Sequence, residues 1–590
     1  MPHKYTSRAL TTLKAFSRKH QKGLLATFFT LLFLVVFVIS VSGGLRVFFP
    51  YMGELTGFPF GQKNYLIVFQ NNNELRPTGG FISSYALLQF TSGFPTKIKI
   101  DDVYGPIDDH EKLAAPYPME KLLANEWYKG YTFRDGNYNP NFPDSARELA
   151  RLYHITTPDQ RIDGVIAMNF HVLENLLDTL GPLEVEGKQL NKDNLFEEIT
   201  NSVNDVDRHN LQSLAQRKSI LKPLSDAIIK KILINPFKLR KISDVITLSL
   251  TTKDLQLYFD NTNLENLARR SHWAGEWPAQ ALTPHDPTTQ AKITGDFLAV
   301  NEANLGGMKS DRYITRHVTY HVQFSEAALQ KTEAPQAEVK LDLNHFGIEN
   351  IPLSGPYTGY FRFYHDPAEA SSSYALEAPS TFLKPDEAPR PLDEIVRLNP
   401  GQTQSITKSY TLPTDLIKDN QYSLYIPKQA GTNGDIYTVI IELPRGYRIE
   451  SDSFDGRENF AFWEGPLNQD IQLSLKVLPD TSPPILTLQE NTELNKISLH
   501  FNEDLNQTFA ADPFSYAVTD LNITHPEVSD ALSIQKVVTT SKDVDIFLNG
   551  QTTQPEERYG VRLKNLRDTH GNILTDRSIT VVERLAQSAS

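Results

Sequence analysis

The chain has 590 residues, 40% hydrophobic and 22% charged, with 32 Phe, 24 Tyr and 4 Trp, enough apolar material for two to four domains of roughly 100–200 residues and too much for a largely disordered chain. Cysteine is absent, which excludes disulfides, thiol nucleophiles, zinc–thiolate sites and iron–sulfur ligation. The net charge of −13 opposes nucleic-acid binding, which rests on neutralising phosphates with Lys and Arg.

Residues 1–23 carry six basic side chains (Lys4, Arg8, Lys14, Arg18, Lys19, Lys22) and no acidic one, and Leu24–Ser42 is an uncharged run of nineteen residues. At about 1.5 Å per residue that run matches a hydrocarbon core of about 30 Å. The basic flank predicts an N-terminal end in the cytoplasm, hence a single-pass membrane protein with the bulk of the chain extracytoplasmic. A cleaved signal peptide has a shorter apolar region and an Ala-x-Ala-like site, and neither feature is found. Beyond the basic tail, 52 basic residues face 71 acidic ones, so the exported part is more acidic than the whole.

Residues 45–62, rich in Phe, Gly and Pro, read as a stalk after a transmembrane segment at 24–44. Residues 63–305 read as an α/β domain. Tyr65–Phe69 is an apolar run suited to a buried strand; Phe81–Phe90 and the segment around Ile98 and Ile100 predict two more. Pro143 predicts a helix start, with Ala146, Leu149, Ala150 and Tyr153 in one apolar stripe and Arg147 and Arg151 on a solvated face. Gly164–Met168 predicts a strand, Asn169 a helix cap, Gly181-Pro182 that helix's stop, and Leu211–Leu233 a helical stretch bent or divided at Pro223. Between 306 and 480, period-two alternation such as Val318, Tyr320, Val322 and Phe324 predicts one or two antiparallel β-sandwiches. After a Thr481-Ser-Pro-Pro484 linker, residues 484–585 have the length of one Ig-like sandwich.

No P-loop, His-Glu-x-x-His, Gly-x-Ser-x-Gly or dinucleotide fingerprint is present. Asp135-Gly-Asn-Tyr-Asn139 begins like an EF-hand loop, but Pro140 and Ala146 replace the required Gly and Glu, so it reads as a turn. The densest polar constellation is Asn71, Asn72, Asn73, Glu74, Arg76, Thr78, Gly79 and Gly80, at the carboxyl end of the first strand, where open α/β sheets bind ligands. Arg76 there either clamps a phosphate or carboxylate or pairs with Glu74, and Asn71 and Asn73 are candidate ligand contacts. Asp102, ending the third strand, is a candidate for Mg²⁺.

Tyr65–Ile82, Asn141–Ser145, Ile162–Ile166 and Leu180–Pro182 resemble the bacterial membrane-anchored proteins carrying domain of unknown function 4012. The resemblance continues through Gly306–Asp311, Tyr357–Arg362 and Tyr425–Gln429, and implies a cell-envelope location without assigning an activity. Tyr559–Asp568 with Gly571-Asn572 resembles the closing strands of SbsA-type bacterial Ig-like domains. A more distant similarity, over Ile162–Val185 and Arg217, is to LytR-CpsA-Psr proteins, which transfer lipid-pyrophosphate-linked glycopolymers to the cell wall. It implies that Arg76 and Arg217 hold pyrophosphate and Asp102 serves Mg²⁺, although Asn71–Asn73 and Thr78 stand where that family is acidic. Two functions follow as expectations: an envelope protein that binds or scaffolds cell-wall glycan or surface proteins, and a glycopolymer transferase.

Overall fold

The computed structural model describes residues 44–104, 107, 113–123, 130–204, 221–277, 295–351, 353–365, 392–457, 459–493, 495–521, 531–549, 558–574 and 579–583. The basic tail, the Leu24–Ser42 run and Arg217 lie outside them. Among the described residues no helix is long and apolar enough to cross a membrane.

The first unit is built on a five-stranded sheet. β1 (Gln62–Asn71) pairs antiparallel with β2 (Phe81–Thr91), which pairs with β3 (Phe94–Asp102). On its other side β1 runs parallel to β4 (Gly164–Asn169), followed by antiparallel β5 (Leu255–Phe259). The apolar run of β1 serves both faces. Leu66 and Val68 pack with Phe142, Leu149 and Leu152 of α1 (Phe142–Thr156), while Tyr65 packs with Val172 of α2 (Phe170–Leu180). α3 (Leu195–Asn204), α4 (Leu221–Ile234), α5 (Leu239–Thr251) and α6 (Thr262–Arg270) complete the unit. Local signals act where expected: Asn169 Oδ1 accepts the His171 N–H at 3.1 Å as the α2 cap, and α1 has Pro143 in its first turn. Of the Leu211–Leu233 stretch expected to bend or divide at Pro223, α4 contains Pro223, and residues 211–220 lie outside the described residues. Arg147 and Arg151 lie on an exposed helix face, paired with Asp144 and Glu148.

The 45–62 segment does not stand off as a stalk. It forms a 3-10 helix (Gly44–Tyr51) and a short α-helix (Met52–Thr56), and Leu45, Phe48, Tyr51 and Leu55 pack into the core beneath α5 and α6.

The second unit is one sandwich of two six-stranded sheets sharing one core. One sheet runs Thr403–Thr411, Gln336–His345, Ile314–Gln323, Ile436–Glu442, Phe460–Pro466, Asp455–Arg457. The other runs Glu394–Leu398, Tyr357–His365, Asp296–Asn304 (β6), Gln421–Ile426, Ile471–Pro479, Tyr447–Glu450. Each sheet contains one parallel pairing, Ile436–Glu442 with Ile314–Gln323 and Gln421–Ile426 with β6, so the sandwich is mixed where the alternation predicted antiparallel strands. β6, counted with the α/β domain in the sequence, is hydrogen-bonded into this sandwich through Tyr357–His365 and Gln421–Ile426; its placement was not legible because a run buried on both faces looks alike in either setting. After an unpaired stretch through Pro483 and Pro484, a third unit packs two four-stranded antiparallel sheets around its own core of Ile497, Leu499, Val544, Ile546 and Val561.

Candidate binding site

β1, β2 and β4 present short and apolar side chains on the face toward α2, and the helices do not fill the space above them. The result is a cavity of 740 Å³, within the range of small-molecule sites. Its floor is Ile67, Phe69, Ala86, Ile98, Ile100 and Met168 of the sheet. Its roof is Leu173 and Leu176 of α2, Phe196 and Ile199 of α3, and Leu224 and Ile228 of α4. One end is polar: Gln70, Asn71, Glu74, Arg76, Arg134 and Lys309.

Arg76 is 1% exposed. Its Nη2 donates to Glu74 Oε1 at 3.1 Å, and its Nη1 donates to Leu75 O at 3.2 Å and to Asn304 O on β6. Of the two alternatives weighed for Arg76, the pairing with Glu74 is the one observed, and the paired Arg76 also lines the cavity. Burial pushes the Glu74 carboxyl above the usual carboxylate range, against the pull of Arg76 and Lys309. Two buried polar atoms of the cavity residues, Arg76 Nε and Ser84 Oγ, have no hydrogen-bond partner. Arg134 lies with its Nε 3.9 Å from Asp135 and its guanidinium 5.4 Å from the Tyr104 ring centre. Three cations thus meet two carboxyl groups at this end, one of them raised by burial.

The other expected site residues divide. Asn71 is on the wall, and its Oδ1 accepts the Asn73 N–H at 3.1 Å; Asn73 itself is not on the wall. Asp102 is not a wall residue either. It lies opposite Ser84 across β2 and β3, and its Oδ1 accepts the Tyr104 N–H at 2.9 Å. Arg217 is outside the described residues. Among the described residues, Asp102 is not part of a group of His and carboxylate side chains able to converge on a cation. Among the described residues the group of His and carboxylate side chains able to converge on a cation is Asp480, Glu503, Asp568 and His570, where the second and third units meet. Asp568 there already accepts the backbone N–H groups of His570 and Asn572. The Asp135–Asn139 loop is a turn: Asp135 closes a capping box with Thr132, and Asn137 Nδ2 donates to Gly80 O at 2.8 Å. Gly79 and Gly80 allow close approach to the chain itself, since a Cβ on Gly80 would lie 2.4 Å from the Asn71 carbonyl carbon.

Sequence reasoning missed Arg134 and Lys309, because no local pattern ties residues 134 and 309 to a strand ending at 71. It also missed a neighbouring network. His171 Nδ1 lies 3.1 Å from Asp254 Oδ1, His171 Nε2 lies 3.0 Å from Asn72 Nδ2, and Asn169 Nδ2 donates to Asp254 at 2.7 Å. Burial acts to raise Asp254, but the hydrogen bonds from His171 and Asn169 and the nearby Lys428 charge outweigh it and hold the carboxyl at about 2.

Residues 61–203 match the family described as Protein of unknown function (DUF4012). No curated protein matches. Among solved structures, the N-terminal part of the bacterial S-layer protein SbsC is 14% identical over 17% of this chain, with a TM-score of 0.15, and the chain spans only 23% of that structure. Lin1025 from Listeria innocua is 9% identical over 36% of this chain and 80% of its own (TM-score 0.20). The transcriptional regulator yvhJ from Bacillus subtilis is 12% identical over 40% and 83% (TM-score 0.20). These likenesses assign no function; the shown relationship is the family match over residues 61–203.

Proposed function

We propose that the chain is a single-pass, extracytoplasmic cell-envelope protein whose α/β unit binds an anionic amphiphile, a lipid phosphate or pyrophosphate. The observation that carries this reading is the division of one 740 Å³ cavity into an apolar body and a cationic end. A hydrocarbon chain between the sheet and α2–α4 leaves water at about 25 cal/mol per Å² buried, and a phosphate at Arg76, Arg134 and Lys309 gains charge-assisted hydrogen bonds. The two sandwiches, the last of them read as Ig-like, then serve as the scaffold toward cell-wall glycan or surface proteins. The distant resemblance of residues 162–185 to LytR-CpsA-Psr proteins implies the same ligand class. Transfer of the linked glycopolymer is a second reading, favoured by the position of Glu74, a buried carboxyl 3.1 Å from Arg76 at the cationic end of the cavity.

The test is thermal unfolding of the full chain in lipid nanodiscs with a prenyl phosphate, a prenyl pyrophosphate, the uncharged prenol and inorganic pyrophosphate. The phosphorylated lipids are expected to raise the melting point, stabilising the folded chain by roughly 2.7 kcal/mol at a hundredfold excess over Kd, and the other two far less. Leu173→Trp, which fills the cavity, abolishes the shift. Lys309→Ala weakens the phosphorylated lipids about tenfold, or roughly 1.4 kcal/mol, and leaves prenol unchanged. No shift with any lipid on the wild-type chain sinks the proposal.

A further inference from the structure

The α/β unit ends in an aromatic edge that the fold does not use. The segment after the short N-terminal helix hydrogen-bonds to the tip of the β2–β3 hairpin: Ser92 N–H donates to Gly61 O at 2.8 Å and Gly93 N–H to Thr56 O at 3.1 Å. This brings three phenylalanines to one edge. Phe58 lies over the hairpin tip, where a Cβ on Gly93 would be 3.2 Å from its ring; Phe94 follows Gly93, and Phe60 precedes Gly61. They are 64%, 70% and 94% exposed, and Phe49 on the adjoining 3-10 helix is 53% exposed. Rings of this size are normally the most buried side chains of a soluble unit, and a contiguous apolar patch marks an interaction surface. Exposed Arg46 and Lys97 flank it.

What covers the edge follows from where the described chain begins. Gly44 sits against Thr247 of α5, and the nineteen-residue uncharged run ends at Ser42, two positions earlier. Two residues span at most about 7 Å. If that run crosses a bilayer, the surface of this unit nearest the bilayer is the one carrying residues 44–61.

We propose that this edge lies on the outer leaflet, with Phe58, Phe60 and Phe94 set into the boundary between headgroups and acyl chains and Arg46 and Lys97 against lipid phosphates. Interfacial segments of this kind combine buried aromatic side chains with flanking cations. The strand polarity then orients the unit. β1 begins beside the patch at Gln62 and ends at Asn71, about 30 Å further on at about 3.4 Å per residue, so the cationic end of the cavity points away from the bilayer. The docking does not depend on what the cavity binds, and the two readings fail separately.

The absence of cysteine makes the test direct. Full-length Phe60→Cys, Phe94→Cys and Phe514→Cys are labelled with a fluorophore in nanodiscs holding one copy each. Phe514, on the third unit, is 87% exposed and serves as the control. Labels at 60 and 94 are expected to be quenched several-fold more by doxyl lipids than the label at 514, and several-fold less by aqueous iodide. Equal access of iodide to all three labels overturns the proposal. So does protection at 60 and 94 that arises only when two copies share a disc, which assigns the edge to self-association. Phe60→Cys and Phe94→Cys alter exposed rings, so an unchanged melting point confirms that the labelled chains are folded.

Discussion

Arg76 illustrates how a buried charge is tolerated and what it costs to remove. Its guanidinium serves Glu74, Leu75 O and Asn304 O at once, so its loss leaves the buried Glu74 carboxyl and the Asn304 carbonyl without this donor, while Leu75 O keeps the Asn304 N–H at 2.9 Å. Arg76→Ala is expected to destabilise the chain by about 3–5 kcal/mol in denaturant titration, because one partner of a buried pair remains. Adding Glu74→Gln should recover at least about 1 kcal/mol, since an amide needs no counter-charge. An equal loss in the single and double variants would show that Glu74 is not the group left unpaired. Asp254 gives the pH dependence. Its folded value of about 2 lies below the ordinary 3.8, so its stabilisation is present above about pH 4 and disappears as the pH falls toward 2. That window is worth about 2 kcal/mol. Asp254→Asn should flatten the acid limb of the stability curve between pH 4 and 2, and an unaltered limb would refute the assignment.

At the scale of elements, the 71–80 loop between β1 and β2 decides both the cavity and the junction with the sandwich. Gly431, at φ +81, packs on Gly79 so closely that a Cβ would lie 2.2 Å from the Gly79 carbonyl oxygen, whereas Gly434, at φ +80, has open space around it. Gly431→Ala should therefore cost more than Gly434→Ala: about 1 kcal/mol for the backbone strain at either site, and roughly 1–3 kcal/mol more for the displaced loop at 431. Equal melting points for the two variants would remove the argument for contact. What the sequence could show follows the same line. Elements with their own periodicity or cap were legible: β1, α1, the Asn169 cap and the alternating strands of the sandwich. So was a polar site at the end of β1, because strand-end position is a local property. Arg134 and Lys309 were not, since they reach the cavity from the 3-10 helix Phe133–Asp135 and from the residue capping the 3-10 helix Ser310–Tyr313, which share no period with it. The packing of 45–62 was hidden for a related reason: Leu45, Phe48, Tyr51 and Leu55 form a helical stripe interrupted by Pro50 and glycines, and composition alone suggested a spacer.

Across the whole molecule, the segments singled out beyond residue 203 converge on one place. Asp311 Oδ2 accepts the Leu75 N–H at 2.9 Å, Arg362 Nη2 donates to Tyr138 O at 3.2 Å, and Gln429 Nε2 donates to Arg76 O at 3.3 Å and Glu302 O at 2.8 Å. Lys428, its ammonium lowered by burial, donates to Thr252 O at 2.8 Å, and Lys253 pairs with Asp470 at 2.6 Å. Ala303, Leu305 and Tyr360 of the sandwich join the core of the α/β unit. Buried polar groups bonded across a junction cannot be re-solvated one at a time without leaving orphans, so the two units should melt together. The third unit has a separate core and meets the second through contacts such as Asn572 Nδ2 to Asp480 O and the Arg445–Asp504 pair at 3.9 Å, an exposed ion pair of small worth. Calorimetry of the full chain should accordingly resolve two transitions, a large one for residues 44–480 and a small one for 485–583. Gln429→Ala is expected to lower only the large transition, and Ile546→Ala, by about 2–5 kcal/mol, only the small one. If Gln429→Ala instead lowers one of three transitions, the α/β unit and the twelve-stranded sandwich fold independently. The cavity's cationic end would then depend on a junction that opens before either unit unfolds.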